Sequence, residues 1–340
     1  MAPSCPTIAA LVLATATAAA AEEPGRVRIR LDAEEAKAVL AILDKTTAGE
    51  APSEGDWRSV FESLGYRRLK RREADRNPFT DADFRQFTLT GEAAGHGPEL
   101  RRTLAEWKGV DLDAIAARML AYLPARATID VTVYPVIKPR HNSFVFELDS
   151  DPAIFLYLDP QVSGPQFENT VAHELHHVGL HSLSKEMEAS IAGLPEPARR
   201  AAEWMGAFGE GMAMLAAAGS PDVHPHAASK PEDRQRWDRD MANFGTDIAK
   251  VNGFFEEILG GRLDEEHARE RAMEFFGVQG PWYTVGYRMA AVVEKRYGRA
   301  ALLRCMEDPR MLLATWNRIA GADRTWSETL LAAVQARSAQ

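Results

Sequence analysis

The stretch VAHELHHVGLHS, residues 171–182, holds four of the chain's nine histidines, with a glutamate after the first. On an α-helix His173 and His177 lie four apart and project from one face, where they can hold one metal ion together. Glu174 then falls roughly 80° round from the midpoint of that pair, poorly placed as a third ligand but beside the ion. A carboxylate there can take a proton from water activated by the metal. His176 offers a rival pairing with His173, three apart. That pairing would turn Glu174 roughly 130° away from the midpoint, facing away from the water it should activate. The pattern is H-E-x-x-H, and it favours His173 and His177 as ligands, with His176 as a packing neighbour.

Outward from this stretch the chain divides by pattern. Before it, DAEEAKAVLAILDK at 32–45 has helical apolar spacing with Asp32 as a candidate N-cap, and helical patterns continue at 54–73, 81–90, 97–109 and 111–122. From 127 the residues become β-branched and aromatic, which predicts three short strands at about 128–137, 143–148 and 153–158. Helical patterns then return at about 166–181, 184–192, 196–218, 233–259, 264–276, 281–297 and 325–337. The Pro-, Gly- and Ser-rich segment 219–233 is a predicted loop, with His224 and His226 solvated in it. No alternating strand–helix series is present, so a doubly wound sheet is not expected. The expected fold is α+β and predominantly helical, with a small three-stranded sheet preceding the metal-binding helix. The expected segments are a leader over 1–21, an N-terminal helical region over 22–125 and a catalytic domain over 126–340.

Two histidines do not complete a catalytic zinc site, which usually has three protein ligands and one open position. A third histidine after a glycine turn would need Gly at 180 and His at 183, and both positions are leucine. His181 sits one turn past His177 and roughly 40° further round the helix. A carboxylate from a following helix is the other solution. Glu186 and Glu188 follow too soon for the chain to turn back, which leaves Glu203 and Glu210. Gly206, Gly209, Gly211 and Ala213 surround Glu210. Glycine inside a helix costs about 1 kcal/mol relative to alanine, so several together need a reason. Close packing against the metal helix would supply one, and Glu210 is the preferred third ligand.

H-E-x-x-H followed by a glutamate on a later helix resembles the gluzincin clan of zinc metallopeptidases. The series HELHHVG, GEGMAM and YTVGY is closer still to little-characterised bacterial families described as zinc-dependent peptidases, and the likeness covers about 128–300. It implies a zincin-like metallopeptidase fold, one zinc ion on His173, His177 and Glu210, Glu174 as general base, and a peptide or protein substrate. Two departures stand out: the gap to the third ligand is longer than in thermolysin, and Met214 occupies the place of an acidic residue near the ligands. What orients the first histidine is therefore open. In such a fold the strand before the metal helix pairs with extended peptide, and AIFLYLDP at 153–160 is in the right place to do so. Peptide hydrolysis also needs an oxyanion donor, and Tyr283 and Tyr287 are the candidates, four apart on one helix face. Two other functions stay open: hydrolysis of a non-peptide amide, and a non-catalytic interaction protein with structural zinc.

The totals narrow the setting. The net charge is −9, which argues against a nucleic-acid surface. The one basic run, RRLKRRE at 67–73, reads as a solvated helix end. An uncharged stretch from Ile8 ends in an Ala-x-Ala pattern at Ala21, the outline of a secretory signal peptide, although no Lys or Arg precedes it. It is too short for a membrane anchor. Export to a periplasmic or external compartment is expected. Cys5 lies in that leader and lacks the context of a lipid anchor. Cys305, in the apolar pattern ALLRCMED, reads as a small buried hydrophobe.

Overall fold

A computed structural model describes residues 26–90, 93–321 and 324–335 of the chain; the leader expected over 1–21 and Cys5 lie outside them. Strand β1 (Val27–Leu31) opens the described chain. Six helices follow: α1 (Glu34–Thr47), α2 (Glu54–Phe61), α3 (Leu64–Glu73), α4 (Asp81–Thr90), α5 (Gly97–Lys108) and α6 (Leu112–Leu120). Then come β2 (Ile129–Val136), β3 (Phe144–Phe146) and β4 (Ala153–Tyr157). The second half is helical: α7 (Gly164–His181), α8 (Ser184–Ile191), α9 (Glu196–Met205), α10 (Gly209–Ala218), α11 (Pro231–Ala242) and α12 (Phe244–Leu259). It closes with α13 (Glu265–Glu274), α14 (Pro281–Tyr297), α15 (Arg299–Glu307), α16 (Pro309–Asn317) and α17 (Glu328–Gln335).

The sheet has four strands, not the expected three, in the order β1-β2-β4-β3. β1, β2 and β4 run parallel, with Val27 opposite Ile129 and Val133 opposite Ile154; β3 is antiparallel to β4, with Val145 opposite Ile154. β4 is therefore interior, and the edge beside the metal helix is β3, which corrects the expectation that AIFLYLDP is the edge. The period-two alternation of a strand explains both faces. Ile129, Val131, Val133, Ile154 and Leu156 enter the main core with α1 and α7, while Tyr134, Val136, Ala153 and Phe155 form a second cluster with Leu69 of α3. The segment 22–125, expected to be helical, thus also supplies β1 and a covering layer for the sheet.

Helix boundaries deviate where a local cap wins over periodicity. The pattern at 54–73 splits into α2 and α3 because Ser63 turns extended and its hydroxyl accepts from the Tyr66 N–H. The pattern at 196–218 splits at a short 3₁₀ turn, Gly206–Phe208. Asp111 caps α6; Asp32 stands one residue before the N-cap position of α1, which is Ala33, and its carboxylate accepts from the Glu34 N–H at 3.0 Å at the start of the helix. α15 and α16 occupy a stretch given no expected element range, and Cys305 is buried there at 1 % exposure. No described helix is long and apolar enough to cross a membrane.

Candidate metal centre

α7 starts with a capping box, in which Ser163 and Gln166 satisfy each other's backbone N–H groups. One face, with Phe167, Val171, Leu175 and Val178, is buried in the main core. The opposite face presents His173, Glu174, His177, Leu180 and His181 to a cleft of about 820 Å³. α10 carries Glu210 in its first turn to the same cleft, and α14 carries Tyr283.

Three donor atoms converge there. Nε2 of His177 stands 3.0 Å from Nε2 of His173 and 3.1 Å from Oε2 of Glu210, and Nε2 of His173 is 3.3 Å from the same oxygen. Donors held about 2.0–2.1 Å from a tetrahedral zinc stand roughly 3.3 Å from one another, so this spacing fits the ion. Two imidazoles and one carboxylate are also a known catalytic zinc set. No fourth donor joins them among the described residues, and the site opens on the cleft.

The local electrostatics match a cation site. Burial alone would raise the Glu210 carboxyl, but His177 and then His173 outweigh it and hold it far below the usual carboxylate range. Burial pulls His177 down, and the Glu210 carboxylate beside it reverses the direction. His176 is wholly buried, and burial, followed by repulsion from His177 and His173, lowers it to about 3. It does not line the cleft and does not join the three converging donors, so it is no rival ligand. Tyr283 hydrogen-bonds Glu210, and burial followed by that carboxylate pushes its phenol up, so it stays protonated. Its ring lies parallel to His173 at 6.3 Å.

Other expected residues fall elsewhere. Tyr287 does not belong to the cleft: it packs edge-on against Trp237 at 5.2 Å and its hydroxyl donates toward the Val223 carbonyl at 3.5 Å. A spacing of four shares a face only roughly, and here the cleft ends between the two tyrosines. Glu203 lines the cleft but pairs with Arg199 at 2.5 Å. His181 reaches Asp149 at 2.8 Å instead of the triad. His226 is not solvated: it is 6 % exposed, packs on Trp237 and contacts Ser229 and Gln279. His173 Nδ1 has no hydrogen-bond partner among the described residues, and Met214 is buried.

The glycines near Glu210 serve a different neighbour from the one expected. A Cβ on Gly211 would stand 2.0 Å from the Tyr287 backbone nitrogen, and one on Gly286 would stand 2.6 Å from the Phe208 carbonyl oxygen. These two glycines let α10 and the turn before it close on α14, the helix that carries Tyr283. Against the metal helix the fit is looser: a Cβ on Gly209 would meet Leu180 at an ordinary 3.6 Å, and one on Gly206 would meet nothing.

Sequence reasoning missed the wall facing α7. Phe144 and Val145 of the edge strand and Ser143 just before it line the cleft, with Arg72 of α3 and Arg76 just beyond that helix; Trp204 and Phe276 line it on the helical side. A signal for β1 existed in the strict alternation of VRIRL, whereas nothing local marks Arg72 or Phe276 as cleft residues.

No curated protein and no solved structure matches the chain. A family model described as "Putative zinc dependent peptidase (DUF5700)" matches residues 57–325. That range takes in every residue that lines the cleft, from Arg72 to Pro309, together with the donor triad. With more than half of its length matched, the chain belongs to this family.

Proposed function

We propose that the protein is an exported zinc-dependent peptidase of gluzincin type. The observation that carries this is the convergence of His173, His177 and Glu210 in an open cleft, with Glu174 and Tyr283 on its rim. Zinc held by the triad would supply a Lewis acid that acidifies water and polarises the scissile carbonyl. Glu174 takes the proton of the attacking water and passes it to the leaving amine. Tyr283, kept protonated by burial and by Glu210, donates to the developing oxyanion. β3 pairs with β4 on one side only, so its outer row of N–H and C=O groups can pair with extended substrate whatever its side chains.

The test is cleavage of a peptide library by the wild type and by Glu174→Gln. Glu174→Gln should keep the metal and lose about 10²–10⁴-fold in kcat, the range of a lost general base. Equal activity of both proteins would refute the assigned base. Export follows from the leader pattern and is checked by the N-terminus of the mature protein, expected at Glu22.

A further inference from the structure

The basic run RRLKRRE is solvated only in part: Arg67 and Arg71 are exposed, but the run's middle is not. Arg68 is 2 % exposed, and its guanidinium grips the turn that joins β3 to β4. One terminal nitrogen donates to Asp151 Oδ2 at 2.8 Å. The other pairs with Glu147 Oε2 at 2.7 Å and donates to the Asp151 carbonyl. The guanidinium also packs over the Tyr134 ring, 5.5 Å from its centre. Arg71 takes the second oxygen of Glu147 at 2.5 Å. From the metal helix His181 reaches Asp149 of the same turn.

The turn needs such a grip. Glu147 has φ of 55°, in the left-handed region that residues with a Cβ seldom adopt. Strained backbone persists where its surroundings fix it. β3 is only three residues long and sits at the sheet edge, so its own ladder bonds hold it weakly. It leads directly into Glu147, so the position of the turn sets the position of the strand.

We propose that Arg68 is the positioning residue of the cleft's edge strand, fixing β3 where an extended substrate can pair with it. The inference rests on the peptidase reading for its substrate. It gives Arg68 of the N-terminal helical segment a part in substrate binding although it does not line the cleft. A planar fork of fixed donors can serve Glu147 and Asp151 at once, which a lysine cannot. The effect belongs to binding along the strand and not to the donor triad, which other helices hold.

The test uses the full chain with Arg68→Lys and, because a buried arginine can be needed for folding, Asp151→Asn, whose side chain is 60 % exposed. Hydrogen exchange is followed in β3 and in α7. KM and kcat are measured for a peptide long enough to run along β3 and for a blocked dipeptide that spans only the scissile bond. In both variants β3 amides should exchange about tenfold faster with α7 unchanged, KM for the long peptide should rise about tenfold, and kcat and the dipeptide constants should stay within about twofold. Equal losses on both peptides, or unchanged β3 exchange, would overturn the assignment. If the wild type cleaves neither peptide, the peptidase reading fails. β3 exchange and fluorescence-anisotropy binding of the long peptide then still decide whether Arg68 positions the strand.

Discussion

The helical wall of the cleft, where α7, α10 and α14 bring His173, His177, Glu210 and Tyr283 together, is held by backbone fit. Gly211 and Gly286 remove the side chains that would keep the elements apart, and the buried apolar faces of three helices do the rest. In the sheet wall Phe144 of β3 stacks on Phe155, and the turn that follows β3 is held by charge. Arg68 and Arg71 close on Glu147 and Asp151, and His181 closes on Asp149. On the proposed peptidase reading, the difference follows from what each wall would have to do. Metal donors tolerate displacements of only tenths of an ångström, so they sit on rigid, densely packed helices. A strand that accepts substrate must keep an unpaired edge and cannot be covered by packing on that side.

The sharpest way to break the comparison is Gly211→Ala. The new Cβ would stand 2.0 Å from backbone that cannot step aside, so unfolding stability should fall by about 3 kcal/mol or more. Gly206→Ala, with nothing near its Cβ, should be nearly neutral. Urea denaturation of the two variants separates backbone fit from a general intolerance of alanine there. If both lose equally, the helical wall is not held as described.

Tyr283→Phe sharpens the functional side of the same wall. Removing the hydroxyl should lower kcat about 10²-fold with little change in KM, as for a donor that acts in the transition state. Tyr287→Phe, whose hydroxyl lies toward Val223, should leave kcat within about twofold. Steady-state kinetics on one peptide decides between the two tyrosines.

A pH-dependent effect lies behind the sheet wall, where Glu35 of α1 accepts from the Ile137 N–H at 3.0 Å. Burial pushes its carboxyl up to about 8 from 4.5. Below 4.5 both folded and unfolded chains hold the proton and nothing is lost. Between 4.5 and about 8 the unfolded chain releases it and the folded chain keeps it, so stability falls as pH rises. Glu35→Gln keeps an acceptor without the charge. It should therefore be more stable than the wild type at pH 8, by about 1.4 kcal/mol for each unit by which burial raises the carboxyl, and no different at pH 4.5. A gain of the same size at both pH values would exclude burial of a titrating carboxyl as the cause.

How much could be read beforehand follows the same division. His173, Glu174 and His177 lie within about one turn of helix, and helical geometry alone sets their relation, so their common place on one cleft is legible in the sequence. Glu210 lies beside the two histidines, as its surrounding glycines suggest, although Gly211 admits α14 and not the metal helix. The grip of Arg68 on Asp151 spans 83 residues, and no local pattern distinguishes it from a solvated basic run. The edge position of β3 was hidden for a related reason: strand order depends on which strands pair across the sheet. Tyr283 and Tyr287 had equal standing on a helical wheel, and only the extent of the cleft separates them.

The central claim is a zinc ion held by His173, His177 and Glu210. Metal analysis of the full chain after dialysis, beside Glu210→Ala, tests it most directly. The account expects one zinc per wild-type chain and loss of most of it in Glu210→Ala. A wild type without bound zinc, or zinc undiminished in Glu210→Ala, would contradict it.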